Sequence, residues 1–115
     1  MKRLIVIFCI FITQLDANEK SINQQWCSAN DGVLEHRTKY GTYVDCLTEE
    51  YAVEVEFDYN WKESIGQSLH YAEATNKKPA VLFIKRTKSK KDYLAELNQT
   101  IDKFNLPIKI FTINE

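Results

Sequence analysis

One segment limits what this chain can fold into more than any other: Thr42 to Phe57 reads as two strands joined by a tight turn at Glu49-Glu50. Both halves, Thr42–Thr48 and Tyr51–Phe57, are rich in β-branched and aromatic residues. With the turn centred on Glu49-Glu50, Asp45 lies across from Glu54, and the period-two alternation of strands adds Glu56 to the side of Glu54. Like charges set opposite each other in a hairpin destabilise it. A positive partner is therefore expected between these carboxylates, and a divalent metal ion is the first candidate. The bland alternative makes Glu54 and Glu56 the wet side of an antiparallel hairpin. Against it, Asp is disfavoured inside strands, and Asp45 stands inside one between Val44 and Leu47.

The N-terminus is set aside before any reasoning about the fold. Met1-Lys2-Arg3 followed by the apolar run Leu4–Ile12 has the basic and hydrophobic regions of a secretory signal. The run is too short to span a bilayer as a helix. Ala17 suits the residue before the cut, while Leu15 and Asp16 leave an uncleaved anchor as the alternative. The expectation is a signal peptide over 1–17, a single small domain over 18–115, a secreted or periplasmic location and no stable membrane association after cleavage. The formal net charge of the 115-residue chain is −1, and loss of Lys2, Arg3 and Asp16 makes it one unit more negative. That excludes a globally basic nucleic-acid coat. Cys9 leaves with the signal, and Cys27 and Cys46 remain as an even pair. Bonded, they would close a loop of about 20 residues and contribute roughly 3 kcal/mol in the chain-entropy model; the alternative is two buried thiols that never meet.

Along the chain, residues 20–31 predict a first helix, with Ile22, Trp26 and Cys27 at helical spacing and Gly32 as its stop. Three strands follow in a meander: Val33–Lys39, Thr42–Thr48 and Tyr51–Phe57, with turns at Tyr40-Gly41 and Glu49-Glu50. From Trp61 to Thr75 the period becomes 3.6, with Trp61, Ile65, Leu69 and Ala72 on the expected core face. Lys78-Pro79 ends that helix, and Ala80–Ile84 is an apolar run typical of a strand buried on both faces. A third helix is expected over about Ser89–Asn105, with Leu94, Leu97, Ile101 and Phe104 inward and Ser89 and Asp92 as its capping pair. Leu106-Pro107 breaks it before a last strand, Ile108–Ile113. The order αβββαβαβ implies an α/β (α+β) fold, a mixed sheet flanked by helices. Asn98-Gln99-Thr100 matches a glycosylation sequon but falls mid-helix.

At these residues the chain resembles the PD-(D/E)xK nuclease superfamily, of restriction-endonuclease-like fold, in particular its Holliday-junction-resolvase-like branch. The family core is αβββαβ, with an Asp on the second strand, Glu-x-Lys on the third, and often a Gln and a Tyr on the next helix. Val44-Asp45 matches the first element, Glu54-Val55-Glu56 occupies the second, and Gly66-Gln67-Ser68-Leu69-His70-Tyr71-Ala72 is similar to the third. The likeness spans roughly residues 32–84. Glu56 stands where the superfamily has lysine, so Arg37 on the first strand or Lys62 on the second helix would have to supply the positive charge.

The resemblance implies metal-dependent hydrolysis of DNA. Asp45 and Glu54 would be ligands to Mg²⁺ or Mn²⁺, with the Val55 carbonyl a candidate third; Glu56 would take a proton or a second ion, and Gln67 and Tyr71 would serve as accessory groups. The rival is a catalytically inactive binding or interaction module of the same fold, with the carboxylates as remnants, and a small exported toxin or defence factor is a more distant third. Gln67 and Tyr71, four residues apart, equally suit an ordinary boundary pair. Gly66 costs helix stability, which points to close packing on the sheet or to the approach of a ligand backbone. His36 and His70 lack the spacing of a zinc site. The basic tract Lys85, Arg86, Lys88, Lys90 and Lys91 is the expected DNA contact, or else a solvated loop. A homodimer stays open.

Overall fold

The computed structural model describes residues 18–115, so the expected signal over 1–17 lies outside the described residues. Among the described residues no helix is long and apolar enough to cross a membrane. The chain runs α1 (Glu19–Ala29), β1 (Val33–Arg37), β2 (Tyr43–Leu47), β3 (Tyr51–Phe57), a 3₁₀ turn (Asp58–Asn60), α2 (Trp61–Thr75), β4 (Lys78–Lys85), α3 (Tyr93–Phe104) and β5 (Lys109–Asn114). The strands form one mixed sheet in the order β1-β2-β3-β4-β5. Neighbours are antiparallel from β1 to β3 and parallel from β3 to β5. Two hairpins followed by two helical crossovers give this pattern, since parallel neighbours need a long return connection and antiparallel ones do not.

The core lies on both sides of the sheet. On one side Ile22, Trp26 and Cys27 of α1 pack against Val53, Val55, Ala80, Leu82 and Ile84. On the other, α2 and α3 bring Trp61, Ile65, Leu69, Leu97 and Ile101 onto Val81, Phe83 and Ile108. Residues 79–84 of β4 are all buried, as its unbroken apolar run requires. The strand begins two residues earlier than its sequence suggests, with Pro79 inside it. Pro79 pairs with Ala52 of β3, and β5 begins its pairing only at Ala80, so the missing N–H leaves no second ladder short of a donor.

Helix ends account for most boundary differences. Asn18 caps α1 through a reciprocal pair with Ser21. Asp92, not Ser89, caps α3 by accepting the Ala95 N–H at 3.0 Å, which starts that helix four residues later than expected. Both α2 and α3 stop on an asparagine in the left-handed conformation, Asn76 and Asn105.

The core face of α2 departs from the expected stripe. Its buried residues are Trp61, Ser64, Ser68 and Tyr71, while Ile65 and Leu69 are only partly buried and lean toward the α3 cluster. Each serine returns its hydroxyl to its own helix, Ser64 to the Trp61 carbonyl at 2.6 Å and Ser68 to that of Ile65 at 3.1 Å. A serine so bonded buries like a small apolar residue. Gly66 lies on the opposite, exposed side, and a Cβ there would meet nothing within 4 Å. Close packing on the sheet is therefore not what places glycine at this position.

The expected cystine is present. Cys27 and Cys46 are bonded with their Cα atoms 5.8 Å apart, tying α1 to β2. Gly32 follows from it: a Cβ there would stand 2.6 Å from Cys27 Sγ and closer still to Cys46 Sγ.

Candidate carboxylate site

The hairpin between β2 and β3 has the register its turn dictates, with Cys46 opposite Val53 and Leu47 opposite Ala52. Continued by one step it would set Asp45 against Glu54, but ladder pairing ends there. Instead the Val55 N–H donates to Asp45 Oδ2 at 2.8 Å, so a side chain takes the place of a strand's carbonyl. An aspartate inside a strand is thereby explained: it accepts a backbone donor that the parting strands would otherwise orphan.

The same level is irregular on the β1 side. Leu34 pairs with Cys46 and His36 with Val44, while Glu35, between them, has φ +52°. Val44 packs with Ala52 and Tyr71 beneath α2, whereas Cys46 is bonded into the α1 side. Two residues of equal parity thus face opposite ways, which marks a bulge at Asp45. The bulge opens a cleft of about 330 Å³ lined by Glu19, Lys20, Asn23, Glu35, Asp45 and Val55.

Glu54 and Glu56 lie on the α2 side of β3, beside Val81 and Phe83, and are only 3% and 8% exposed. Their shared face is as alternation requires. Their partners differ. The Glu54 carboxyl lies against that of Asp45. Burial, then the Asp45 charge, pushes Glu54 up to about 10. Glu56 turns to the Glu19 carboxyl and also accepts from the Phe57 N–H at 3.2 Å and the Asn60 amide at 3.5 Å. Burial raises Glu56, and burial followed by Glu56 raises Glu19 to about 7. Glu19 thus joins the expected Asp45, Glu54 and Glu56, with Asp45 beside Glu54 and Glu19 beside Glu56. Among the described residues no three His, Cys, Asp or Glu side chains stand close enough together to hold a metal ion. The parting of β2 from β3 is the cause, because it lets Glu19 in from the first turn of α1.

Tyr71 and Gln67 stand beside this cluster. Tyr71 is buried, donates its hydroxyl to Gln67 Oε1 at 3.2 Å, and is pushed up to about 12 by burial and then by Glu54, Asp45 and Glu35. The two other cations weighed for the missing lysine lie elsewhere. Arg37 rests its guanidinium against Gly41 in the β1–β2 turn, 3.5 Å from where a Cβ would be. Lys62 lies over the Trp61 ring at 5.7 Å and acts on Glu96. The basic residue in the cleft wall is Lys20. His70 bonds Thr42 Oγ1 at 2.8 Å and so fastens the β1–β2 turn to α2.

Three cleft residues lay outside the expected set: Glu19, Lys20 and Asn23. Asn23 donates to the Asp45 carbonyl at 2.9 Å, while its own Oδ1 is buried without a hydrogen-bond partner. The one sequence signal was Glu19 directly after the Asn18 cap, which reads equally well as a first-turn acid favoured by the helix dipole.

The basic tract divides in the same way. Lys91 pairs with Glu96 at 3.2 Å and Arg86 with Glu115 at 3.4 Å, while Lys88 and Lys90 stay exposed. Lys85, Arg86, Thr87, Ser89 and Asn114 line a second cleft, of about 290 Å³.

Two proteins of Acanthamoeba polyphaga mimivirus, both named as KilA-N domain-containing, are similar to this chain. One is 33% identical over 93 residues, covering 81% of this chain and 25% of its own length. The other is 32% identical over 90 residues, covering 78% of this chain and 24% of its own. The chain thus spans about a quarter of the relatives it matches. No family model matches the sequence. No solved structure matches it either.

Proposed function

We propose that this chain is a DNA-engaging domain of restriction-endonuclease-like design whose carboxylate cleft takes a divalent cation and cuts phosphodiester bonds. The observation that carries the reading is the gathering of Glu19, Asp45, Glu54 and Glu56 from three elements, each raised acid owing its shift to burial and most of them also to another carboxylate. Such a cluster either holds protons or holds a cation. Mg²⁺ is commonly bound by one or two carboxylates with waters completing its shell, so the Asp45–Glu54 pair suffices without a third acid. The orphaned Asn23 Oδ1 in the same cleft wall is a further hard oxygen donor. A bound Mg²⁺ or Mn²⁺ would supply charge neutralisation at a phosphate and a more acidic water.

The chain's own groups divide the remaining work. Lys20, in place of the family lysine, stands at the cleft mouth to meet a phosphate, and Glu56, raised by burial above the usual carboxylate range, is suited to accepting a proton. Lys88 and Lys90 give the exposed charge that a nucleic-acid backbone would need.

The test is incubation of the purified chain with single-stranded, duplex and branched DNA in Mg²⁺, in Mn²⁺ and in chelator. Metal-dependent cutting is expected, with Asp45→Asn and Glu54→Gln abolishing both cation binding and cleavage and Lys20→Ala slowing cleavage at least tenfold, about 1.4 kcal/mol of transition-state stabilisation. No cation binding by calorimetry together with no cutting in either metal would overturn it. That outcome would leave the second reading, a DNA-binding module without catalysis, which Glu56 in the lysine position favours.

A further inference from the structure

Beyond the carboxylate cleft, the carboxyl ends of the three parallel strands come together. Phe57 ends β3 and pairs with Ile84, while Asn114 of β5 pairs with Lys85. In sheets of this kind that end is where ligands are received. Here it holds a feature that the proposed reaction does not use. The Phe57 and Tyr59 rings are stacked with planes 6° apart and centroids 5.8 Å apart, and the Arg86 guanidinium lies over both at 5.4 Å. Tyr59 nevertheless remains 46% exposed.

This stack is held from beneath. Asp58 is buried and accepts the Arg86 N–H through Oδ2 at 3.3 Å, tying the 3₁₀ turn to the loop after β4. The Arg86 Nε is buried without a hydrogen bond, although the Glu115 carboxylate lies 3.4 Å away. What sets Tyr59 apart is not its exposure but its surroundings, since the ring is stacked on Phe57 and lies beneath a guanidinium. Arg86 also lines the 290 Å³ cleft, with Lys85 and the hydroxyl residues Thr87 and Ser89. A flat π-surface next to a small basic cleft matches the two parts of a nucleotide, base and phosphate.

We infer that Tyr59, supported by Phe57 and Arg86, is a stacking platform for an unpaired base, with the adjoining phosphate seated among Lys85, Thr87 and Ser89. The inference rests on the nucleic-acid reading above and narrows it to single-stranded segments, including the unpaired arms of branched DNA. Inside a duplex both faces of each base are already stacked, so the Tyr59 ring has no internal base to receive. Glu56 accepts the Phe57 N–H, so the platform begins one residue from the carboxylate cluster.

Fluorescence anisotropy with a labelled oligothymidine and a blunt duplex of equal length, both in chelator so that no cleavage intervenes, tests this. The chain should bind the single strand at least tenfold more tightly than the duplex. Tyr59→Ala should weaken single-strand binding about tenfold and leave duplex binding unmoved, and Tyr59→Phe, which keeps the ring, should restore it. Lys88→Ala with Lys90→Ala should weaken both and flatten their salt dependence. Equal affinity for the two DNAs, or a Tyr59→Ala variant that binds like the parent, overturns the platform. Asp45→Asn separates the two ideas: lost cutting with retained oligothymidine binding keeps the platform whatever becomes of the hydrolytic reading.

Discussion

Glu54, buried beside Asp45, is the residue on which the proposed chemistry turns. Burial and Asp45 hold it protonated to about 10, and Glu19 titrates near 7. An acid whose folded pKa lies above its unfolded value binds more protons in the folded state, so its stabilising share is complete below the unfolded pKa and fades as pH rises through the folded one. From the ordinary value of 4.5, the Glu19 share is lost by about pH 7 and the Glu54 share by about pH 10. The melting temperature in chelator should therefore fall steadily between pH 5 and pH 9, and Glu54→Gln should flatten the upper part of that slope. A profile that is level or rising over the same range would show that the cluster is not protonated as described. Glu35 offers a second check at this scale. Its φ of +52° suits glycine better, so Glu35→Gly should raise stability by up to about 1 kcal/mol in urea unfolding, and a loss instead would mean that its carboxyl is needed.

Among the elements, α2 shows how a periodicity can be right in kind and rotated in phase. The apolar spacing of Trp61, Ile65, Leu69 and Ala72 marks a helix, yet Ser64, Ser68 and Tyr71 face the sheet. Counting apolar residues cannot find that face, because the serines become fit for burial only once their hydroxyls bond their own helix. The small serines also bring α2 close to the strand bearing Glu54 and Glu56, which sets Tyr71 beside the cluster. Gly66, on the far side, has open space, so Gly66→Ala should stabilise the chain by about 1 kcal/mol with DNA binding unchanged. Weaker binding in that variant would show that a ligand backbone approaches the glycine. Gly32→Ala is the contrasting case, since its Cβ would strike both sulfurs of the cystine; a cost of about 1–3 kcal/mol is expected from thermal or urea unfolding.

For the molecule as a whole, one covalent bond decides whether the cleft exists. Cys27–Cys46 fastens α1, which supplies Glu19, Lys20 and Asn23, to the strand that supplies Asp45. With a sequence separation of 19, its removal should cost about 3 kcal/mol. Cys27→Ser with Cys46→Ser should therefore lower the melting temperature, expose the α1 amides to hydrogen exchange and reduce Mn²⁺ affinity. Unchanged exchange in α1 would show that Ile22 and Trp26 hold the helix down by packing alone.

The sequence by itself determined the element order and the hairpin register, because each follows from local chemistry: alternation, turn residues and helix stops. The even pair of cysteines left bonded and unbonded readings open, and the fold decided for the bond. The sequence also placed Glu54 and Glu56 on one face of one strand. What it left undecided was which groups meet across elements. The bulge at Asp45 reverses which way Val44 and Cys46 point, and no periodicity foretells it, since it arises from a carboxylate accepting the Val55 N–H. Glu19 enters the site only because β2 and β3 part there, and Arg37 stays out because its strand carries it to the Gly41 turn. Contacts within an element are set by the spacing of residues along it, whereas the cleft is set by where strands separate and a helix docks, and that is decided only by packing in three dimensions.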